Sequence, residues 1–193
     1  MNIDFHKVPN KEKSRNRRRQ AGDFMLSLVV ALIVVAIFLG KVFMNYRDTS
    51  RNEQNTAFTS SITTIAGALQ KNFGQNNMYG SLTTAIAVKS GAFPRNLRDG
   101  TADTASNLWG GTLTVVPGTI TANNDVANLA ATKVPSGQCY DIVSATQSVA
   151  RRITVGSSTV KAADATLDVA ALSTACEAAS DVTVTWAIGR SGT

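Results

Sequence analysis

The 193-residue sequence contains only one histidine, two cysteines and four prolines. The histidine, His6, lies in a basic N-terminal stretch. The rest of the chain therefore carries no Ser–His or Cys–His nucleophile pair and no histidine-based metal site. The acidic residues, for example Asp164 and Asp168, are not spaced as metal ligands, and we interpret them as solvated surface charges. The sequence therefore predicts no catalytic residue, no metal site and no cofactor.

Excess positive charge is almost absent from the body of the chain, although the formal net charge is +6. Residues 1–22 hold seven basic and two acidic side chains, a surplus of five, so the remaining 171 residues carry 12 − 11 = +1. A nearly neutral body offers no electrostatic footprint for phosphate backbones. We therefore predict that the folded part does not bind nucleic acid.

Charged residues are missing from residues 24–40, and the apolar run continues past Lys41 to Met44. Seventeen helical residues span about 26 Å and twenty-one about 32 Å, which brackets the thickness of a bilayer core. The bulky Phe38 spoils the small-residue spacing that signal-peptide cleavage would need before Gly40. The basic flank predicts a cytoplasmic N terminus, with everything after Met44 on the outer side of the membrane. A single-pass anchor accounts for these features.

Proline is also absent between Pro9 and Pro94. Within this gap apolar residues recur at steps of four, three, four and four, which places them on one helical face: Phe58, Ile62, Ile65, Leu69 and Phe73. Gly74 is the predicted end of this helix. The pattern predicts one helix of about fifty residues from Asp23 to Phe73, apolar all round in its first half and amphipathic in its second.

Shorter elements follow this helix. Residues 81–89 are predicted to form a helix capped by Ser81, and residues 107–124 a strand, turn and strand with Pro117-Gly118 at the bend. Ser136 is the predicted cap of a third helix. Arg151 and Arg152 begin a further strand, where we interpret them as edge charges that favour solubility. A short helix over residues 168–179 precedes a closing strand over residues 181–188, with Val182, Val184 and Trp186 on one side.

Cys139 and Cys176 are the only two cysteines, and both lie in the part of the chain assigned to the outer side of the membrane, where disulfides persist. Joined, they would close a loop spanning 37 sequence positions, and loop entropy predicts about 3–4 kcal/mol of stabilisation from such a link. The alternative is a pair of buried free thiols.

Several of these features together resemble a type IVb pilin. The basic leader ends in Ala21-Gly22 directly before the apolar helix, as in a type IV prepilin. A long helix, the Asn107-x-Trp109-Gly110-Gly111 segment, two distant cysteines and a tryptophan in the last strand follow in order. The likeness is to the major pilins of thin conjugative pili and of bundle-forming pili.

The resemblance implies an α+β pilin fold, in which a long N-terminal α-helix with a transmembrane first half packs on an antiparallel-sheet globular head. The implied domains are a basic leader (1–22), a transmembrane and filament-core helix (23–44), its amphipathic continuation (45–74) and the head (75–193). The implied function is that of a subunit of an extracellular filament used for cell–cell contact, adhesion or conjugative mating. The disulfide of this family bounds the variable outer region of the head.

The resemblance also implies roles for individual residues. A prepilin peptidase would cut between Gly22 and Asp23. The fifth mature residue would be Ser27 instead of the usual Glu, so we expect the Asp23 carboxylate to neutralise the new terminal amine. Gly40 is the strong helix breaker where local melting is expected on assembly. The apolar helix would supply the filament core through Phe24, Leu28, Leu32, Val35 and Leu39.

The implied partners are further copies of the chain in a helical filament, the prepilin peptidase, the inner membrane, the pilus assembly machinery and a receptor on a recipient or host cell. The precursor would lie in the inner membrane, with its leader cytoplasmic and its head periplasmic, before the filament becomes extracellular. The alternatives are a minor pilin or secretion-system pseudopilin, and a single-pass, membrane-anchored periplasmic enzyme or binding protein.

Overall fold

A computed structural model describes the backbone of residues 12–75, 78–100 and 103–190. The chain divides into two compact units, one ending at Ser50 and the other beginning at Arg51. The first unit holds the beginning of helix α1 (Glu12–Phe73). The predicted start of this helix at Asp23 is wrong, because the helix already includes the basic run. Arg, Lys, Glu and Gln dominate that run and are good helix formers, so the helix extends through it.

The second unit, which we call the head unit, begins with the last part of α1. The predicted apolar face is confirmed there: Phe58, Ile62, Ile65 and Leu69 are fully buried. Phe73 is half-buried and is the last helical residue, and the backbone N–H of Gly74 donates to the carbonyl of Gln70 (2.9 Å).

The other helices and strands of the head unit form an α+β arrangement. They are α2 (Thr84–Lys89), β1 (Ala105–Ser106), β2 (Thr112–Gly118), β3 (Val126–Pro135), α3 (Ser136–Thr146), β4 (Arg152–Val155), β5 (Ser158–Lys161), α4 (Val169–Glu177) and β6 (Asp181–Ile188). Short 3-10 helices cover Met78–Ser81, Arg95–Leu97 and Gln147–Val149. The strands form one antiparallel sheet in the order β1-β2-β3-β6-β4-β5.

The closing strand β6 lies inside the sheet, between β3 and β4. The prediction that Val182, Val184 and Trp186 share one side of this strand is confirmed, and all three are buried. Because these side chains pack with the apolar face of α1 in one hydrophobic cluster, the last strand of the chain helps to fix the helix onto the sheet.

Helix caps and one turn differ from the sequence prediction. Thr83 caps α2, and Ser81 ends the preceding 3-10 helix instead. Ser136 is the first helical residue of α3 and not its cap, because β3 continues to Pro135 and Ser136 donates its N–H to the carbonyl of Ser180 (2.9 Å).

Pro117 and Gly118 do not form the predicted bend, because both lie in β2, where they pair with Ala127 and Val126. Pro117 is tolerated there since β1 pairs only with the other end of β2, leaving an edge at this end. The chain reverses after Gly118, and β3 begins only at Val126.

Candidate functional site

The first part of α1 exposes a continuous apolar surface. In the described part of the chain, α1 is the one helix long and apolar enough to cross a membrane. Between 49% and 74% of each large apolar side chain over residues 25–44 is exposed, including four of the predicted filament-core residues: Leu28, Leu32, Val35 and Leu39. The side chain of the fifth, Phe24, lies outside the described residues.

The predicted cleavage and melting positions all lie within α1. The backbone of Gly22 and Asp23 is helical, whereas the Asp23 side chain lies outside the described residues, so its interaction with a terminal amine stays a prediction. Gly40 is also helical, and a Cβ added there would meet no atom within 4 Å. Local melting at Gly40 likewise stays a prediction.

Phe58 joins α1 to the sheet through both tryptophans of the chain. Its ring meets Trp109 edge-on, with centroids 4.8 Å apart, and lies 6.5 Å from the ring of Trp186. The indole Nε1 of Trp186 donates to the hydroxyl of Thr146 (2.9 Å), which in turn donates to the carbonyl of Ile142 (2.7 Å). The buried indole N–H is therefore satisfied by α3, and this aromatic cluster ties three elements together.

The Asn-x-Trp-Gly-Gly segment forms the tight connection between β1 and β2. The Asn107 amide donates from Nδ2 to the carbonyl of Thr132 (2.6 Å), while its Oδ1 accepts the N–H groups of Trp109 (3.0 Å) and Gly111 (2.8 Å). Gly110 has φ +71°, which favours glycine. One buried amide thus holds the turn and the neighbouring strand, and this orients Trp109 toward Phe58.

Cys139 and Cys176 form a disulfide between α3 and α4, with their Cα atoms 5.7 Å apart. Because the two sulfur atoms are bonded to each other, the alternative of two buried free thiols is wrong. The link closes a loop that contains β4, β5 and the segment leading to α4.

Arg151 lies at the centre of a charge network that the sequence interpretation missed. Only 8% of its side chain is exposed, and its guanidinium contacts the carboxylates of Asp164 (2.7 Å) and Asp125 (3.5 Å) and the hydroxyl of Thr121 (3.3 Å). The prediction of a solvent-facing edge charge is therefore wrong for Arg151, whereas Arg152 is half-buried as the first residue of β4.

Asp164 and Asp168, which the sequence analysis interprets as solvated surface charges, each have a specific partner. Asp164 pairs with Arg151, and this hydrogen bond holds the pKa of its carboxyl below the usual range. Asp168 caps α4 by accepting the N–H of Ala171 (3.0 Å). The hydrogen bonds that Arg151 donates to Asp164 also raise the pKa of Arg151. Both carboxylates therefore stabilise the segment between β5 and α4.

Asp125 organises the turn between β2 and β3. Its carboxylate accepts the backbone N–H groups of Ile120 (2.8 Å), Thr121 (2.8 Å) and Ala122 (3.2 Å). Burial raises the pKa of this carboxyl, but the three N–H donors and Arg151 outweigh burial, so its pKa lies below the usual value. The three donors lie three to five positions before Asp125, a spacing that matches no familiar turn signature, so the sequence did not reveal this turn.

In the described ranges no group of three or more His, Cys, Asp or Glu residues is arranged to hold a metal ion. The features with clear geometry are the exposed apolar helix and a cross-linked head.

The family described as PilS N terminal matches residues 52–189, which is most of the chain. The chain belongs to the PilS N-terminal family. The matched residues coincide with the head unit and contain the aromatic cluster, the disulfide and the Arg151 network. Among curated protein sequences, none matches the chain significantly.

Two solved structures are similar to this PilS-family chain. The crystal structure of the type IVb pilin from Salmonella typhi is 19% identical and covers 68% of this chain and 97% of that one, with a TM-score of 0.56. TcpA, a type IV pilin from Vibrio cholerae El Tor biotype, is 10% identical and covers 70% and 98%, with a TM-score of 0.53. The expected type IVb pilin fold is thereby confirmed.

Proposed function

We propose that this chain is the structural subunit of an extracellular type IVb pilus. The observation that carries the proposal is the apolar surface of residues 25–44, which is at least about half exposed in a chain with the pilin fold. Such a surface is stable only in lipid or against other protein. A filament built from copies of the chain supplies the second environment by packing these helices together.

The route to the filament follows from the same surface. The precursor is held in the inner membrane by α1 with its leader in the cytoplasm, in agreement with the positive-inside bias. A prepilin peptidase removes residues 1–22, and the assembly machinery transfers the mature chain from Asp23 onward into the filament. There Asp23 neutralises the new terminal amine, and Gly40 is the position where the helix melts locally.

The filament then joins cells, either by adhesion to a receptor on a host cell or by stabilising a conjugating pair. The support is the likeness of the sequence to pilins of thin conjugative and bundle-forming pili. A minor pilin or pseudopilin would share α1 and the head but remain scarce in fibres. A membrane-anchored periplasmic binding protein would remain with the membrane after shearing.

A charge within the apolar helix tests the proposal. Val34 is 60% exposed, and Val34→Asp would cost about 2.5–3.5 kcal/mol at the bilayer centre and at least as much in a dry filament core. We expect this variant to lose surface fibres, while Val34→Leu and the exposed polar change Asn52→Asp retain them. The measurement is the fraction of total protein recovered in fibres sheared from cells.

N-terminal sequencing of the same sheared material tests processing. We expect the fibre protein to begin at Asp23, and Gly22→Val to leave the precursor uncut in the membrane. A wild-type chain that is never found in sheared fibres would refute the filament, and fibres whose protein begins at Met1 would refute the cut after Gly22.

A further inference from the structure

A polar cleft of about 320 Å³ opens on the head unit beside the Arg151 network. Its walls come from the end of α1, from the segment between α3 and β4, and from the segment after β5. The residues that matter here are Gln70, Ser148, Arg151, Lys161, Asp164 and Ala165. The volume lies at the lower end of the range for small-molecule sites, which suits a ligand of one or two small rings.

The charges at the cleft are mostly engaged. The guanidinium of Arg151 is held by Asp164 and Asp125, and the ammonium of Lys161 donates to the carbonyls of Gln147 and Ala150, both at 2.6 Å. Asp125 contacts Arg151 without lining the cleft, so both cations of the lining are already engaged and neither is free to pair with an anionic ligand. Its few apolar groups also make it a poor site for a hydrophobic ligand.

The Lys161 ammonium and the Asp164 carboxylate are held in place by the protein and can each still form a hydrogen bond to a ligand. An ammonium has three N–H donors, and Lys161 directs two of them to the carbonyls, which leaves a third. The side chain of Asp164 is 43% exposed, and a carboxylate can accept more bonds than Arg151 supplies. A donor and an acceptor therefore both line the cleft.

Asp164 is positioned before any ligand arrives. Its φ is +57°, an uncommon conformation that Asp tolerates, and its backbone N–H donates to the carbonyl of Arg151 (2.9 Å). Arg151 thus holds both the backbone and the carboxylate of Asp164. A group fixed in this way loses little entropy on binding, which favours a weakly held polar ligand.

We propose that this cleft binds a neutral saccharide, with Asp164 accepting from one hydroxyl and Lys161 donating to its neighbour. Adjacent sugar hydroxyls each act as donor and acceptor, so they match a carboxylate beside an ammonium without needing net charge. Such a site would give each subunit its own contact with a glycan surface. Saccharide binding goes beyond the proposed role of structural subunit, because it requires neither leader cleavage nor filament assembly.

The test is ligand-observed NMR with the full-length chain in a detergent that has no sugar headgroup. The probes are the methyl glycosides of glucose, galactose and mannose, with the methyl glycoside of N-acetylneuraminic acid as the anionic comparison. We expect at least one neutral glycoside to bind with a dissociation constant of about 1 mM. Binding of the anionic sugar alone, or of no neutral glycoside, would overturn the proposal.

A matched pair of variants locates the site without touching the charge network. Ala165 lines the cleft, while Ala163 is exposed and outside its lining, so Ala165→Tyr should weaken binding about tenfold and Ala163→Tyr should leave it unchanged. Ser148→Tyr, in the lining segment between α3 and β4, serves as a second blocking variant if Ala165→Tyr does not fold. Equal binding by folded blocking and control variants would place the sugar elsewhere and refute the cleft.

Discussion

Helix α1 has one part in the first unit, up to Ser50, and one part in the head unit, from Arg51. Both parts contain similar apolar residues, which are exposed in the first unit and buried in the head unit. Phe58 and Leu69 are fully buried in the head unit, whereas Phe38 and Leu39 are 68% and 60% exposed. Helix propensity and side-chain volume are alike on both sides, so the difference lies in whether the chain supplies a partner. The head unit brings a sheet to its part of the helix, whereas over residues 12–50, the described part of the first unit, the chain forms only α1 and no strand. One part is therefore needed for folding of the head, and the other exposes the apolar surface on which the proposed function rests.

Matched phenylalanine substitutions test this contrast most strongly. Phe58→Ala removes a buried ring that contacts both tryptophans and should lower the free energy of unfolding of the head by about 3–5 kcal/mol. Phe38→Ala should leave that free energy unchanged. Guanidinium unfolding of the full chain in detergent, followed by tryptophan fluorescence, measures the head alone because Trp109 and Trp186 are the only tryptophans. Equal losses in the two variants would contradict the division.

The disulfide should have the next largest effect, again confined to the head. The link closes 37 sequence positions, and the loop-entropy relation gives about 4 kcal/mol. Replacing both Cys139 and Cys176 by Ala should lower the free energy of unfolding by about this amount and leave membrane insertion through α1 unaltered. Reduction of the wild-type chain with dithiothreitol is the control, and it should have a similar effect. Thiols that can be alkylated without reduction would contradict the link.

Acid should weaken the head through the Asp125 carboxyl. Its pKa is lower in the folded chain than in the unfolded one, so its contribution is present above the unfolded value of about 3.9 and is lost as pH falls through the folded value. The pKa of the Asp164 carboxyl is lowered in the same way. Arg151 and Lys161 stay charged over this acidic pH range. Asp125→Asn should cost about 1–3 kcal/mol at pH 7 and flatten the loss of stability below pH 4. An unchanged pH profile would show that the carboxyl is not coupled to folding.

The sequence predicted the elements that follow from periodicity and missed those that follow from distant partners. The steps between Phe58 and Leu69 and the alternation ending at Trp186 are local, and both are confirmed. The sequence predicted a surface charge at Arg151 because its partners Asp125 and Asp164 lie 26 and 13 positions away in the chain. Only the fold brings these three residues together. Short strands such as β1 and β5 also lack a local signal, since their pairing depends on β2 and β4.

The smallest predicted effect concerns the cap of α2, where two neighbouring hydroxyl residues can be compared. Thr83 accepts the N–H of Ile86 (3.3 Å) from an extended backbone, the geometry of an N-cap, while Ser81 ends a 3-10 helix. Loss of a cap costs about 1 kcal/mol, so Thr83→Ala should lower the free energy of unfolding by about that amount.

Ser81→Ala is the control for this substitution. Ser81 is exposed and does not cap α2, so its replacement should change the free energy of unfolding by less than about 0.5 kcal/mol. The same fluorescence measurement applies, because α2 packs beside β2 within the head unit and unfolds with it. If Ser81→Ala has the larger effect, then the helix begins where the sequence pattern first indicated, and the cap at Thr83 is wrong.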